Sequence, residues 1–189
     1  MKKFLTYSLT LLMLLLVNTV TLAEERLYDL QYVLLDTDVE GAGFEPEALQ
    51  FKYIIPYSPL IDFEALLALG IDEQKVTRSV PGVGPFTQKC KLSNIVGVLG
   101  KIHFALEPRV YFYAHLGVAR IEYDISSSAD GISPDGSVSD TGAAYGIGLS
   151  FALLKKGAFV LEYNQFPDVN KQGTSIDTAA LSLGYQMPF

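Results

Sequence analysis

Apolar and polar residues alternate one by one along most of the chain beyond residue 27. In the last run, Leu181, Leu183 and Tyr185 occupy one face, and Ser182 and Gly184 occupy the other. A two-residue period predicts β-strands, because successive side chains of a strand point to opposite faces. Seven further runs show the same alternation, so the pattern predicts eight strands, at 28–34, 49–55, 61–71, 92–103, 109–118, 142–153, 159–164 and 179–189.

The segments between these runs are short and long in turn. The short ones are 56–59, 105–108 and 155–157, and the long ones are 36–46, 72–91, 124–141 and 167–174. Strands of about 9–11 residues can cross a membrane, and short turns at one end with long loops at the other are typical of outer-membrane barrels. The pattern therefore predicts an all-β, eight-stranded antiparallel up-and-down transmembrane β-barrel. Both termini would be periplasmic and the long loops extracellular. Alternation alone leaves open a soluble sandwich with its apolar face inward.

The first 23 residues have the layout of a signal peptide. Lys2 and Lys3 precede the apolar run 9–17, and the small residues Thr21 and Ala23 follow it. The apolar run is short for a membrane-spanning helix, which needs about 20 residues. We therefore expect a cleaved signal peptide at 1–23 and a barrel domain at 24–189, integral to a bacterial outer membrane.

Charge and cysteine content narrow the classes of function. The chain carries 14 basic and 21 acidic side chains, and this acidic excess argues against a nucleic-acid partner. The single Cys90 cannot form an internal disulfide. No HExxH, paired-cysteine or nucleotide-loop pattern is present, so we expect no catalytic residues and no cofactor.

Six charged residues fall on the less apolar faces, in the half of the barrel nearer the short turns. The interior of an eight-stranded barrel is just wide enough to be filled by side chains, and unpaired charge there is costly. The sequence therefore predicts a balanced ionic network in the lumen, with a gated ion path as the alternative. Its predicted members are Asp29, Lys52, Glu64, Lys101, Arg109 and Glu162, with His103 and His115 on the same faces.

The first long segment has the spacing of a calcium loop. Its acidic positions match the first, third, fifth and twelfth places of such a loop, at Asp36, Asp38, Glu40 and Glu47. Strands flank the segment, and Pro46 lies beside the last ligand. A solvated acidic segment without calcium is the alternative.

The long segments differ in charge. The first and third carry acidic residues and no basic ones, whereas the second carries Lys75, Arg78, Lys89 and Lys91. This segregation predicts electrostatic recognition by the loops. The expected partners are outer-membrane lipid and lipopolysaccharide, and a host or cell-surface ligand.

Four features resemble the OmpA-like and opacity-type outer-membrane barrels. They are the segments 44–49, 161–163 and 181–185, and a final alternating strand that ends at Phe189. The resemblance covers nearly the whole predicted mature chain. It implies that Tyr185, Met187 and Phe189 form a signal for the barrel assembly machinery. Pro188 departs from the pattern, because it lacks a donor for the strand ladder.

These observations predict a non-enzymatic outer-membrane protein with an envelope-structural or surface-adhesion role. The alternatives are a narrow porin-like conduit and a lipid-modifying enzyme. Lipid A deacylases on this scaffold carry a serine two residues after the histidine. Here Ala105 and Gly117 occupy the corresponding positions after His103 and His115.

Overall fold

Antiparallel β-strands make up almost all of the chain that the computed structural model describes, which comprises residues 26–39, 41–80, 84–128, 135–153, 157–171 and 174–188. The predicted signal peptide lies outside these residues. No helix within them is long and apolar enough to cross a membrane. The described strands are β1 (Leu27–Val39), β2 (Ala42–Phe44), β3 (Glu47–Ser58), β4 (Ile61–Gly70), β5 (Gln74–Val80), β6 (Gly84–Glu107), β7 (Val110–Ser128), β8 (Asp135–Leu153), β9 (Gly157–Gln165), β10 (Val169–Lys171) and β11 (Thr174–Pro188).

Eight of these strands form a closed ring, in the order β1, β3, β4, β6, β7, β8, β9 and β11. Each is antiparallel to the next, and β11 pairs with every residue of β1, which closes the ring. The other three strands extend the sheet beyond the ring: β2 pairs with β1, β5 with β6, and β10 with β11. The predicted eight-stranded antiparallel barrel is confirmed.

The apolar faces of the ring strands point outward. Leu183 is 61% exposed, whereas its neighbour Ser182 is 1% exposed. On β9, Tyr163 is exposed between the buried Glu162 and Asn164. An apolar band of this kind is typical of a barrel surrounded by lipid. The structure therefore decides the direction of the apolar face, which alternation alone left open.

The two ends of the barrel differ. At one end, which we call the turn end, residues 59–60 and 108–109 form tight turns between strands. At the other, the loop end, β6 is 24 residues long and β7 and β8 are 19 each. Much of segments 72–91 and 124–141, predicted as loops, is therefore strand. The alternation of apolar residues marks only the part of a strand that faces lipid, whereas backbone pairing continues beyond it into water.

A β-bulge in β6 changes which residues face inward. The pairing with β7 shifts between Leu92 and Asn94, so that Leu92 lies opposite Tyr123 and Asn94 opposite Glu122. Leu92 and Ile95 are both fully buried. Strict alternation would place Leu92 on the same outward face as Val96, but the bulge reverses the phase of the strand and Leu92 lies inside.

Apolar side chains fill the interior of the loop half. Val33 and Leu35 of β1, Ile121 of β7 and Ile176 of β11 belong to one buried cluster. Phe44 of β2 and Val169 of β10 join the same cluster, so the short additional strands continue the core beyond the ring. The barrel is closed at this end by hydrophobic packing.

Candidate functional site

A polar layer fills the interior of the turn half. Side chains two residues apart in a strand share a face, so each contributing strand supplies a pair of inward polar residues. All of these side chains are buried except that of His103, which is partly exposed. The pairs are Asp29 and Gln31 on β1, Gln50 and Lys52 on β3, Asp62 and Glu64 on β4, Lys101 and His103 on β6, Tyr113 and His115 on β7, and Glu162 and Asn164 on β9.

A chain of ion pairs crosses this layer. Nζ of Lys52 lies 2.7 and 2.5 Å from the two carboxylate oxygens of Glu162, and 3.5 Å from Oε2 of Glu64. Nζ of Lys101 lies 2.9 Å from Oε1 of Glu64 and 3.3 Å from Oδ2 of Asp62. Each lysine therefore bridges two carboxylates, and Glu64 joins the two lysines.

Neutral side chains hold the carboxylates in place. The hydroxyl of Tyr113 donates to Oε1 of Glu162 at 2.6 Å. The amide of Gln31 donates to Oδ2 of Asp29 at 2.7 Å, and the amide of Gln50 donates to Gln31 at 2.8 Å. Hydrogen bonds of this kind compensate for the water that the buried charges have lost.

Two glycines on β8 make room for the large members of the layer. A Cβ atom at Gly148 would overlap the ring of Tyr113, and one at Gly146 would overlap His115 and Asn164. Gly146 lies opposite His115 in the ladder, and Gly148 lies opposite Tyr113. The two glycines therefore leave the space that the polar layer occupies.

The structure brings five of the six predicted network residues into the interior and excludes the sixth. Arg109 lies in the turn at 108–109 and is exposed. Its assignment to the lumen is corrected, because the ladder between β6 and β7 stops at the pair Glu107 and Val110. Asp62 occupies the buried layer instead. The signal for it was its position two residues before Glu64, on the same inward face.

This exchange alters the charge of the interior. In the part of the chain that the structure describes, the buried carboxylates are Asp29, Asp62, Glu64 and Glu162, and the buried lysines are Lys52 and Lys101. The interior therefore has an excess of two carboxylates, and not the balance that the sequence predicted.

A cavity of about 420 Å³ opens between the polar layer and the turn end. Asp62, Lys101, His103 and Tyr113 line it, together with small residues such as Ala152. Lys101 lies 5.1 Å above the centre of the Tyr113 ring. The polar layer is thus accessible from the turn end, whereas the apolar core separates it from the loop end.

Basic residues cluster on the outward face of β5 and β6 at the loop end. Lys75 lies directly opposite Lys89, and Glu73 lies 3.7 and 3.2 Å from their ammonium groups. The hydrogen bond from Lys89 holds the pKa of Glu73 below its usual value. Lys89 and Lys91 line one groove together with Glu73 and Asp124. We call Lys75, Lys89 and Lys91 the basic patch.

The described members of the predicted calcium site do not converge on one point. Asp36 and Asp38 are exposed residues of β1, and Glu40 lies outside the described residues. Asp36 and Glu47 line one surface groove, which does not include Asp38. Asp38 accepts a hydrogen bond from the backbone of Gly41 at 2.7 Å. No three acidic, histidine or cysteine side chains converge on a metal position anywhere in the described ranges. The first long segment is mostly strand, which does not wrap around an ion as a calcium loop does.

The predicted assembly signal lies on the outward face of the last strand. Met187 is exposed. The ring of Tyr185 packs edge-on against that of Phe159, with the two ring centroids 5.5 Å apart. Phe189 lies outside the described residues. Pro188 is the last described residue of β11 and lies opposite Leu27.

The barrel is similar in fold to small outer-membrane proteins of known structure. Ail of Yersinia pestis, solved with the heparin analogue sucrose octasulfate, has a TM-score of 0.55 and 20% identity, over 86% of this chain and 98% of its own. Neisserial surface protein A has a TM-score of 0.55 and 14% identity, over 87% of this chain and 97% of its own. OprG of Pseudomonas aeruginosa has a TM-score of 0.50 and 12% identity, over 87% of this chain and 96% of its own. At these identities the similarity shows the fold alone.

No curated protein matches the chain in sequence. The family model described as the outer membrane protein β-barrel domain matches residues 59–189, well over half of the chain. The matched part contains most of the ring strands and most of the polar layer. The chain therefore belongs to the outer membrane protein β-barrel domain family and is an integral protein of the bacterial outer membrane.

Proposed function

We propose that the protein is a non-enzymatic, non-conducting barrel whose loop end binds anionic groups of glycans at the cell surface. In this proposal the turn end and both termini face the periplasm, and the loop end faces outward. The anionic groups are phosphates of lipopolysaccharide, for an envelope-structural role, or sulfates of a host polysaccharide, for adhesion.

The filled interior is the observation that carries the proposal. Ion pairs occupy the turn half, and an apolar core with Leu35, Ile121 and Tyr123 occupies the loop half. The hydroxyl of Tyr123 lies 3.2 Å from Oγ1 of Thr37 and 2.8 Å from Oγ1 of Thr178, which ties three ring strands together across the lumen. A lumen filled in this way favours recognition at the loop end over passage through the barrel.

The basic patch is the surface suited to such ligands. Lys75 is 58% exposed, and Lys89 and Lys91 lie on the same outward face of the sheet. Ammonium groups bind phosphate and sulfate through charge-assisted hydrogen bonds. Ail, which shares this fold, was solved with a sulfated heparin analogue, and this complex supports a sulfated ligand as one candidate.

A binding experiment tests the role of the basic patch. The variant Lys75→Gln, Lys89→Gln, Lys91→Gln should bind immobilised heparin or lipopolysaccharide at least about tenfold more weakly than the wild type, because about 0.5–1 kcal/mol is lost per lysine. The matched control Asp36→Asn, Asp38→Asn removes exposed acidic charge from β1 and should retain binding. Dephosphorylated lipopolysaccharide separates the two ligand sources. Equal binding by wild type and the triple variant would contradict the proposal.

Conductance in a planar bilayer tests the second half of the proposal. The purified barrel should show no steady ion-selective current at either polarity. The porin-like alternative predicts a current that persists when the loop-end strands β5 and β10 are shortened. Such a current would contradict the filled lumen. The binding experiment would still test the basic patch.

A further inference from the structure

The basic patch at the loop end already holds an anionic group of the chain itself. Oε1 of Glu73 lies 3.2 Å from Nζ of Lys89 and 3.7 Å from Nζ of Lys75. These two lysines lie directly opposite each other in the ladder, where like charges on neighbouring strands repel. The carboxylate between them offsets this repulsion. Glu73 therefore occupies the position that an anionic group of a ligand would take.

The backbone on either side of Glu73 is held in place. Oδ1 of Asp72 accepts a hydrogen bond from the backbone nitrogen of Glu47 at 2.7 Å, and the amide of Gln74 donates to Oδ2 of Asp72. The backbone nitrogen of Ile71 donates to the carbonyl oxygen of Glu47 at 2.9 Å. These contacts tie the segment before β5 to β3. The carboxylate of Glu73 therefore stays near the two lysines, where a tethered group competes with dissolved anions at a high effective concentration.

Lys91 provides a second position for an anion in the same groove. It lies two residues from Lys89 on the outward face of β6, a separation of about 7 Å along the strand. Its neighbour across the ladder, Asp124, accepts a hydrogen bond from the hydroxyl of Ser93 at 2.6 Å. The patch thus offers two anion positions, one that Glu73 fills between the paired lysines and one at Lys91.

We propose that Glu73 is an internal competitor, which must be displaced from Lys75 and Lys89 before a glycan can occupy the whole patch. This inference rests on the proposed binding of anionic glycans by the same patch. A single sulfate that displaces Glu73 exchanges one exposed ion pair for another and gains little, because exposed pairs are weak. A ligand with two anionic groups about 7 Å apart gains the contact with Lys91 as well. The site therefore selects polysulfated or polyphosphorylated glycans over sugars with one such group.

The affinity for immobilised heparin tests the competition. Glu73→Gln should bind heparin at least about threefold more tightly than the wild type, because the competing carboxylate is gone. Asp177→Asn is the matched control: it removes one exposed acidic charge from β11, which pairs with neither β5 nor β6, and should leave the affinity unchanged. Both changes are at exposed positions, and urea midpoints check that both variants are folded. An equal gain in the two variants would reflect overall charge alone and would overturn the inference.

Carbon NMR of the ¹³C-lysine-labelled barrel in lipid nanodiscs tests the selection between ligands. Single Lys→Gln variants assign the ε-carbon signals of the three lysines of the patch. In the wild type, glucose 6-sulfate should shift the signal of Lys91 alone, whereas a heparin oligosaccharide should shift all three. In Glu73→Gln the single sulfate should also shift the signals of Lys75 and Lys89. Shifts of all three signals by glucose 6-sulfate in the wild type would contradict the inference.

The carboxyl group of Glu73 gives a readout that a merely structural ion pair would not. Without ligand its pKa lies below its usual value, because Lys89 donates a hydrogen bond to it. Saturating heparin should displace the group and return its pKa toward the usual value, as a ¹³C titration would show. An unchanged pKa would overturn the inference and leave binding by the patch intact. Heparin binding that survives the triple lysine substitution would instead reject the patch as the binding site, and the inference with it.

Discussion

Replacing Glu162 by Gln removes the best-paired carboxylate of the barrel interior. Both of its oxygens accept hydrogen bonds from Nζ of Lys52, and Oε1 also accepts from Tyr113. A glutamine offers one oxygen and no charge. Lys52, which is fully buried, would keep Glu64 at 3.5 Å as its remaining ion-pair partner in the described layer.

The expected loss of stability follows from this burial. Removing one partner of a buried ion pair costs about 3–5 kcal/mol. Glu73→Gln is a matched control, since it makes the same substitution in an exposed pair with Lys89, where water screens the two charges. The free energy of unfolding of Glu162→Gln should therefore fall by at least about 2 kcal/mol more than that of Glu73→Gln.

Urea unfolding in lipid vesicles measures this difference. The chain has no tryptophan, so circular dichroism and the change in gel mobility on boiling report the folded fraction. The double variant Lys52→Met, Glu162→Gln should recover part of the loss, because it removes the stranded ammonium group. Equal urea midpoints for Glu162→Gln and Glu73→Gln would refute the reasoning.

Three further outcomes can be measured. The folded protein should be almost purely β by circular dichroism, and its gel mobility should change on boiling, because a closed ring leaves no strand edge at which unfolding begins. Deleting Phe189 should impair membrane assembly but not export, as cell fractionation would show. Gly148→Ala should lower the urea-derived stability by about 1–3 kcal/mol, because the new methyl group overlaps Tyr113, whereas Gly43→Ala meets open space and should not.

The fold could be predicted from the sequence because barrel strands obey a local rule. The alternation around Leu181, Ser182 and Leu183 places one residue in lipid and the next in the lumen, whatever the rest of the chain does. Strand number and pairing then follow from chain order, since each ring strand pairs with its neighbours in sequence. The outward direction of the apolar face had to come from the structure.

The prediction failed where geometry departs from strict alternation. The bulge between Leu92 and Asn94 inserts one residue and reverses the face of everything before it in β6. No turn or glycine signal in the sequence marks this position. Either phase of the alternation would place apolar residues on the inward face. The extensions of β7 and β8 were missed because their outward residues face water and are polar, which in sequence resembles a loop.

The interior charge shows why residue types on a face do not determine an electrostatic site. The alternation extrapolated from β7 assigned Arg109 to the inward face, but the ladder ends at Val110 and Arg109 lies in the exposed turn at 108–109. A displacement of one residue along the barrel axis thus removes a cation from the layer, while Asp62 contributes an anion. The interior changes from balanced to acidic by two charges.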